Sequence, residues 1–247
     1  MVNPDNIHPQ VFRLGKAGVK ASESARFPLG LGEKGVHEVC EDSFGDIGAL
    51  TGFVLAASLV RPGVIVWVSQ YDLAREHGEI LGQGQAFLRR DLRPVLKVAA
   101  RRRDDVLWGV EEAITSRAVS LVVAELSGVD FTASRRLQLA SERTGTPVIL
   151  MLPCTTEGAT AATTRWRIRP EISAPNRYDS RAPGAARWHV RIERSRLAPE
   201  LAGREFKLEL DDETLSLRVA SGLAAHTAAP HKARTNEGNR AGFRDTG

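Results

Sequence analysis

Strand-length runs of apolar residues, set between amphipathic stretches, constrain this chain more than any other feature. Val64-Ile65-Val66-Trp67-Val68, Ser120 to Leu126 and Val148 to Leu152 are near-continuous runs of this kind. A strand that reads apolar on both faces is one covered by helices on both faces, as in a parallel sheet. The stretches between supply those helices. Ala49 to Val60 has a helix-like apolar face and stops at Arg61-Pro62-Gly63, where Pro lacks the amide proton a helix needs. Val106, Leu107, Val110, Ala113 and Ile114 recur at i, i+3 and i+4, with Asp104 or Asp105 as the expected N-cap. Thr132 is expected to cap a helix through Leu137 and Ala140 to Arg143, ended by Gly145-Thr146-Pro147. A further helical segment is expected over Leu81 to Phe87. With Gly35 to Cys40 as a first strand, strands alternate with helices over residues 35–153, which implies right-handed crossovers in one parallel sheet.

The period then changes. Thr163 to Arg169 alternates strictly, with Trp166 and Ile168 on one face and Arg165, Arg167 and Arg169 on the other. Arg187 to Ile192 repeats the design, placing Trp188, Val190 and Ile192 inward. Phe206 to Leu210, the acidic turn Asp211-Asp212-Glu213 and Leu215 to Val219 read as a hairpin. Antiparallel β-structure is therefore expected over 160–220. Residues 1–33, with Pro and Gly punctuation, read as an irregular arm; 221–247, small and aperiodic, read as a disordered tail. One domain over 34–220 lies between them.

Charge is distributed unevenly. Nine arginines face three acids between Arg165 and Arg196, a local excess of +6 in a chain of net charge +4. Arginine suits phosphate or carboxylate recognition, so nucleic acid and an acidic protein both fit such a segment. Two cysteines, Cys40 and Cys154, lie far apart without neighbouring ligands, and the histidines show no ligand spacing. Buried free thiols in a reducing cytoplasm are expected rather than a disulfide or a metal site. No apolar run approaches the roughly 18 residues of a membrane span, and the first ten residues lack the basic and apolar pattern of a secretory leader.

The turn Asp42-Ser43-Phe44-Gly45-Asp46-Ile47-Gly48-Ala49-Leu50-Thr51 joins the first strand to the first helix, where a RecA-type ATPase carries its phosphate loop. Such a loop points backbone amides at phosphate, with Lys reaching the outer phosphates and Ser/Thr holding magnesium. Aligned without gaps, Ile47 and Gly48 stand at the Lys and Thr positions, and Asp42 and Asp46 put negative charge where phosphate would sit. Ser69-Gln70-Tyr71 follows the second strand, where an activating Glu belongs. The expected fold is α/β: a RecA-like core with a mostly parallel sheet flanked by helices, extended by antiparallel strands and hairpins in the C-terminal half. Its phosphate loop (Gly45, Asp46, Ile47, Gly48, Thr51) is degenerate. No catalytic residue, metal site or cofactor is expected. Thr51 as a displaced hydroxyl, Glu125 as a metal ligand and a lysine supplied from elsewhere remain the means by which a divergent ATPase would operate; without the loop Lys and Thr, Glu125 is expected as a capping or ion-paired carboxylate. An enzyme acting on a small ligand has no visible acid–base constellation.

Gly35-Val36-His37-Glu38-Val39, Gly45 to Phe53, Arg102 to Trp108, Ser134 to Ala140 and Thr163-Thr164-Arg165-Trp166 together resemble the ImuA family, RecA-like accessory proteins of the bacterial mutagenic translesion-synthesis cassette. The resemblance covers about residues 30–200. It implies a damage-inducible (SOS), cytoplasmic protein, nucleoid-associated during DNA damage, acting as a non-catalytic adaptor. Its implied partners are RecA, the Y-family polymerase relative ImuB and an error-prone C-family DNA polymerase. Direct DNA contact and self-association stay open. Arg165, Arg167, Arg169, Arg187 and Arg191 are the candidate DNA or partner face, equally readable as a solvated sheet face. Arg135 and Arg136 oppose their helix dipole and hint at an external partner. Trp166 and Trp188 alternate away from the arginines and are expected as core anchors.

Overall fold

The first strand, β1 (Val36–Glu41), is buried along its whole length, including His37, Glu38 and Glu41. Six consecutive buried residues require cover on both faces and neighbours on both edges, and β1 has all four. The computed structural model describes residues 31, 34–57, 63–80, 82, 94–179, 181–211 and 216–220. Within them the elements run β1, α1 (Ile47–Ala57), β2 (Val64–Gln70), α2 (Tyr71–His77), β3 (Val95–Ala100), α3 (Arg103–Ser116), β4 (Val119–Glu125), α4 (Phe131–Thr144), β5 (Val148–Leu152), β6 (Thr164–Glu171), β7 (Arg187–Ser195), β8 (Glu205–Asp211) and β9 (Ser216–Val219).

The strands form one sheet in the order β3-β2-β4-β5-β1-β6-β7-β8-β9. β3 through β6 in that order are mutually parallel, and β6 to β9 pair antiparallel. The α/β class with an antiparallel C-terminal extension is thus realised. One boundary moves: β6, placed by its alternation in the antiparallel region, also pairs parallel to β1 and joins the two regions.

Each sheet face has its own core. α1 carries no charged residue, and Leu50, Phe53 and Val54 are fully buried against Val39, Trp166, Ile168, Val190 and Leu208. The Trp188 indole donates to the Ala49 carbonyl at 2.9 Å and lies against Gly52, so β7 and α1 are fastened together. Trp166 and Trp188 are core anchors, as their alternation implied. On the opposite face Val106, Val110 and Ile114 of α3 and Leu137 and Ala140 of α4 cover Val36, Val66, Val122 and Leu150.

Both expected N-caps differ. The capping residue of α4 is Asp130, whose side chain accepts from the Ala133 amide at 2.8 Å; Thr132 is already helical and cannot cap. α3 starts after Arg102, with Asp104 and Asp105 inside its first turn, where they face the helix dipole instead of capping it. Gly145 closes α4 at φ 78°, as the Gly-Thr-Pro signal indicated. β3 and α2 carried no sequence signal that separated them from loop. The N-terminal arm apart from Leu31, residues 58–60 of the first helix, the segment 81–87 apart from Gly82, the turn at Asp212-Glu213 and the tail 221–247 lie outside the described residues.

Candidate functional site

Parallel strands direct their carboxyl ends to one edge of the sheet, and in open α/β sheets ligands bind in the crevice there. The edge holds a cavity of about 320 Å³ bounded by the ends of β1, β4 and β5, the first turns of α1, and α2 with the residues after it. Of the loop positions singled out in the sequence, Ile47, Gly48 and Thr51 line it.

The loop is closed on itself. Only residues 42–46 separate β1 from α1. The Asp46 carboxylate accepts from the Ser43 amide at 3.0 Å, and the Asp46 amide donates to the Ser43 carbonyl at 3.2 Å. An amide that a phosphate would recruit already serves an internal carboxylate. Gly45 makes the turn at φ 97°. Ile47 and Gly48 open α1 without a cation, and the Thr51 hydroxyl donates back to the Ile47 carbonyl at 3.0 Å.

The charged groups of the cavity are mainly carboxyls. Glu41, Glu79 and Glu125 line it with His77, and no Lys or Arg does so among the described residues. Glu125, at the end of β4, neither caps a helix nor joins an ion pair among the described residues: its oxygens accept from the Trp67 indole at 3.0 Å and the Ser69 hydroxyl at 2.9 Å. Ser69 therefore orients an acid where an activating Glu was expected. Gln70 accepts from the Ser127 amide at 3.0 Å and ties the loop after β4 to β2. Burial pushes the Glu125 carboxyl above its ordinary value, against the Ser69 and Trp67 hydrogen bonds. Burial raises Glu41 as well, opposed by the Cys154 amide and by His77. Oxygen Oε1 of Glu41 is buried without a hydrogen-bond partner among the described residues. Sequence reading missed Glu41 and His77. An acid closing the first strand of an α/β sheet was the available signal for Glu41; His77 had none.

The arginines occupy a different place from the one their alternation suggested. Arg165 and Arg167 share a sheet face with Arg169 but are 6% and 8% exposed, so the expected open cationic strand face is not formed. Arg165 Nε meets Glu38 Oε2 at 2.6 Å, and Glu38 Oε1 accepts from Thr160 at 2.5 Å. Arg167 uses all its donors: Glu193 takes Nε at 2.9 Å and Nη2 at 3.2 Å, while the Glu41, Cys154 and Thr156 carbonyls take the rest. Arg169 donates to His189 at 2.7 Å and lies 3.6 Å from Glu171. Arg187 pairs with Glu209, and Arg191 lies 3.4 Å from Glu193 and 3.9 Å from Asp42. Burial alone would raise Glu209; Arg218 and Arg187 override it and hold the carboxyl below its ordinary value. Apart from Glu171 of β6, the acids neutralising this face come from β1, β7, β8 and the turn after β1, which sequence distance hides. Arg135 and Arg136 lie apart from it on α4, exposed, with Arg136 bonded to Glu111 of α3 at 2.9 Å.

Three of the family-like motifs meet at the other end of β1. Gln138 accepts from the Val36 amide at 2.7 Å and donates to Thr163 at 3.0 Å; Ser141 accepts from the Gly35 amide at 2.8 Å; His37 bonds Thr164 at 2.8 Å. Gly35 has φ 116°, and a Cβ there would strike the Thr163 hydroxyl. This polar cluster locks α4 to β1 and β6.

No protein-family model matches the chain. It is similar to the protein ImuA of Caulobacter vibrioides, in two strains: 31% identical over 186 residues, covering 68% of this chain and 71% of each relative.

Proposed function

Because the chain belongs to the ImuA family, we propose that it is a non-catalytic, RecA-like adaptor of damage-induced mutagenic translesion DNA synthesis. In this reading it works by docking with RecA, with an ImuB-type partner and with an error-prone C-family polymerase, in the cytoplasm and at the damaged nucleoid. The observation that carries the non-catalytic part is the crevice: three carboxyls line the place a triphosphate would take, and the loop amide at Ser43 is occupied by Asp46. A nucleotide there would meet repulsion from the acidic residues of the wall. Neutralisation of the arginine face favours a protein surface over DNA as its partner, since salt-dependent DNA affinity needs uncompensated cations.

Thermal unfolding with magnesium and ATP tests this reading. A Kd tenfold below the ATP concentration would stabilise the fold by about 1.4 kcal/mol through mass action. No shift is expected. The alternative, a divergent DNA-dependent ATPase, draws on Glu125 and Thr51, both of which line the cavity; a clear shift followed by DNA-stimulated hydrolysis would establish it. Co-purification with RecA and an ImuB-type protein is the corresponding positive result for the adaptor.

A further inference from the structure

The cavity at the carboxyl edge is built for a ligand of the opposite sign to a nucleotide. Glu41 is 3% exposed and its Oε1 has no hydrogen-bond partner among the described residues. A buried acceptor left unpaired is costly, and a donor brought by a ligand removes that cost. Glu125 is fixed beside the same space by Trp67 and Ser69. The rest of the wall is largely aliphatic, including Leu55, Leu73 and Ile80. At about 320 Å³ the space is at the small end of ligand pockets. No group of three His, Cys, Asp or Glu among the described residues is arranged to hold a metal.

We propose that this cavity binds an organic cation: an amine or guanidinium head placed between Glu41 and Glu125, on a short apolar stem lying along Leu55, Leu73 and Ile80. The head satisfies the unpaired Glu41 oxygen and neutralises the acidic wall; the stem takes the apolar surface, as lysine and arginine stems do elsewhere. Such a group comes either from a free small amine or from an arginine or lysine side chain of another protein. The site requires only the cavity and holds whether or not the adaptor reading does.

The groups facing the two acids set its pH response. Glu41 faces His77 and Asp46, with the Cys154 and Gly45 amides; Glu125 faces Ser69, Trp67, His77 and Glu79. Burial raises both carboxyls, so a bound cation favours their ionised forms and displaces protons.

The test is calorimetric titration of the full chain with agmatine, a guanidinium and an ammonium joined by a four-carbon stem, and with n-butylurea as an uncharged control of the same stem length. Saturable agmatine binding is expected, tightening as pH rises, releasing protons, and absent for butylurea. Glu41→Gln should weaken it at least tenfold while the chain stays folded, and Glu125→Gln should weaken it as well, which guards against a folding defect in the first variant. An N-acetylarginine amide that binds as well as agmatine assigns the site to a partner's side chain; agmatine binding alone assigns it to a free amine. Absence of agmatine binding at millimolar concentration, equal binding of butylurea, or two folded variants that bind as the parent does would each overturn the proposal.

Discussion

The parallel crevice and the antiparallel extension are both crowded with charge, yet they treat it in opposite ways. In the extension each of Arg165, Arg167, Arg169, Arg187 and Arg191 lies within ion-pair distance of a carboxylate. In the crevice Glu41 and Glu125 are buried, and neither lies within ion-pair distance of a Lys, Arg or His among the described residues. The richer cationic segment is therefore internally neutralised, whereas the sparser acidic one is not. Composition alone would have pointed to the first.

Breaking the matched charges should have the largest effect. Arg165→Ala leaves Glu38, which is fully buried, without its cation, and removal of one partner from a buried pair costs about 3–5 kcal/mol. Urea unfolding should show that loss. Arg167→Lys keeps the charge but gives up the fork that holds three carbonyls and Glu193, and a loss of about 1–3 kcal/mol is expected. Arg169, 46% exposed on its side chain, should cost less than about 1 kcal/mol on replacement by Ala.

The two regions should also answer pH with opposite sign. Glu41 and Glu125 have carboxyls raised in the folded chain, so the stability they contribute is full below the unfolded carboxyl value and is lost as pH rises through the folded values. Glu209 is lowered, so its contribution is present above the unfolded value and is lost as pH falls through the folded one. Unfolding curves across this range should therefore flatten on the alkaline side in the Glu41→Gln, Glu125→Gln double variant, and on the acid side in Glu209→Gln.

The smallest effect expected is on thiol chemistry. Burial pushes Cys40 up to about 12, whereas Cys154 is partly exposed. A thiol reagent near neutral pH should label Cys154 in the folded chain and reach Cys40 only after denaturation. Prompt labelling of both would show that β1 opens more readily than its burial implies.

Most of the fold was legible because its signals are local. Continuous apolar runs marked β2, β4 and β5, Gly145 marked the end of α4, and strict alternation set Trp166 and Trp188 inward. β3 escaped because Leu96 and Val98 lie on an exposed edge strand, where burial leaves no pattern. Arg165 was misplaced for a different reason. Alternation assigns a side chain to a face but does not say whether that face is wet, and its partner Glu38 lies 127 positions away. That Ile47 and Gly48, and neither Lys nor Thr, open α1 could be read directly. The unpaired Glu41 oxygen and the approach of His77 depend on how α2 follows β2, which no motif encodes.

Whether the crevice has given up nucleotides is settled by equilibrium titration of the full chain with magnesium and ATP, with and without single-stranded DNA, followed by phosphate release. We expect no saturable binding at millimolar ATP and no release above the protein-free rate. Saturable binding with DNA-stimulated release, abolished by Glu125→Gln, would contradict it.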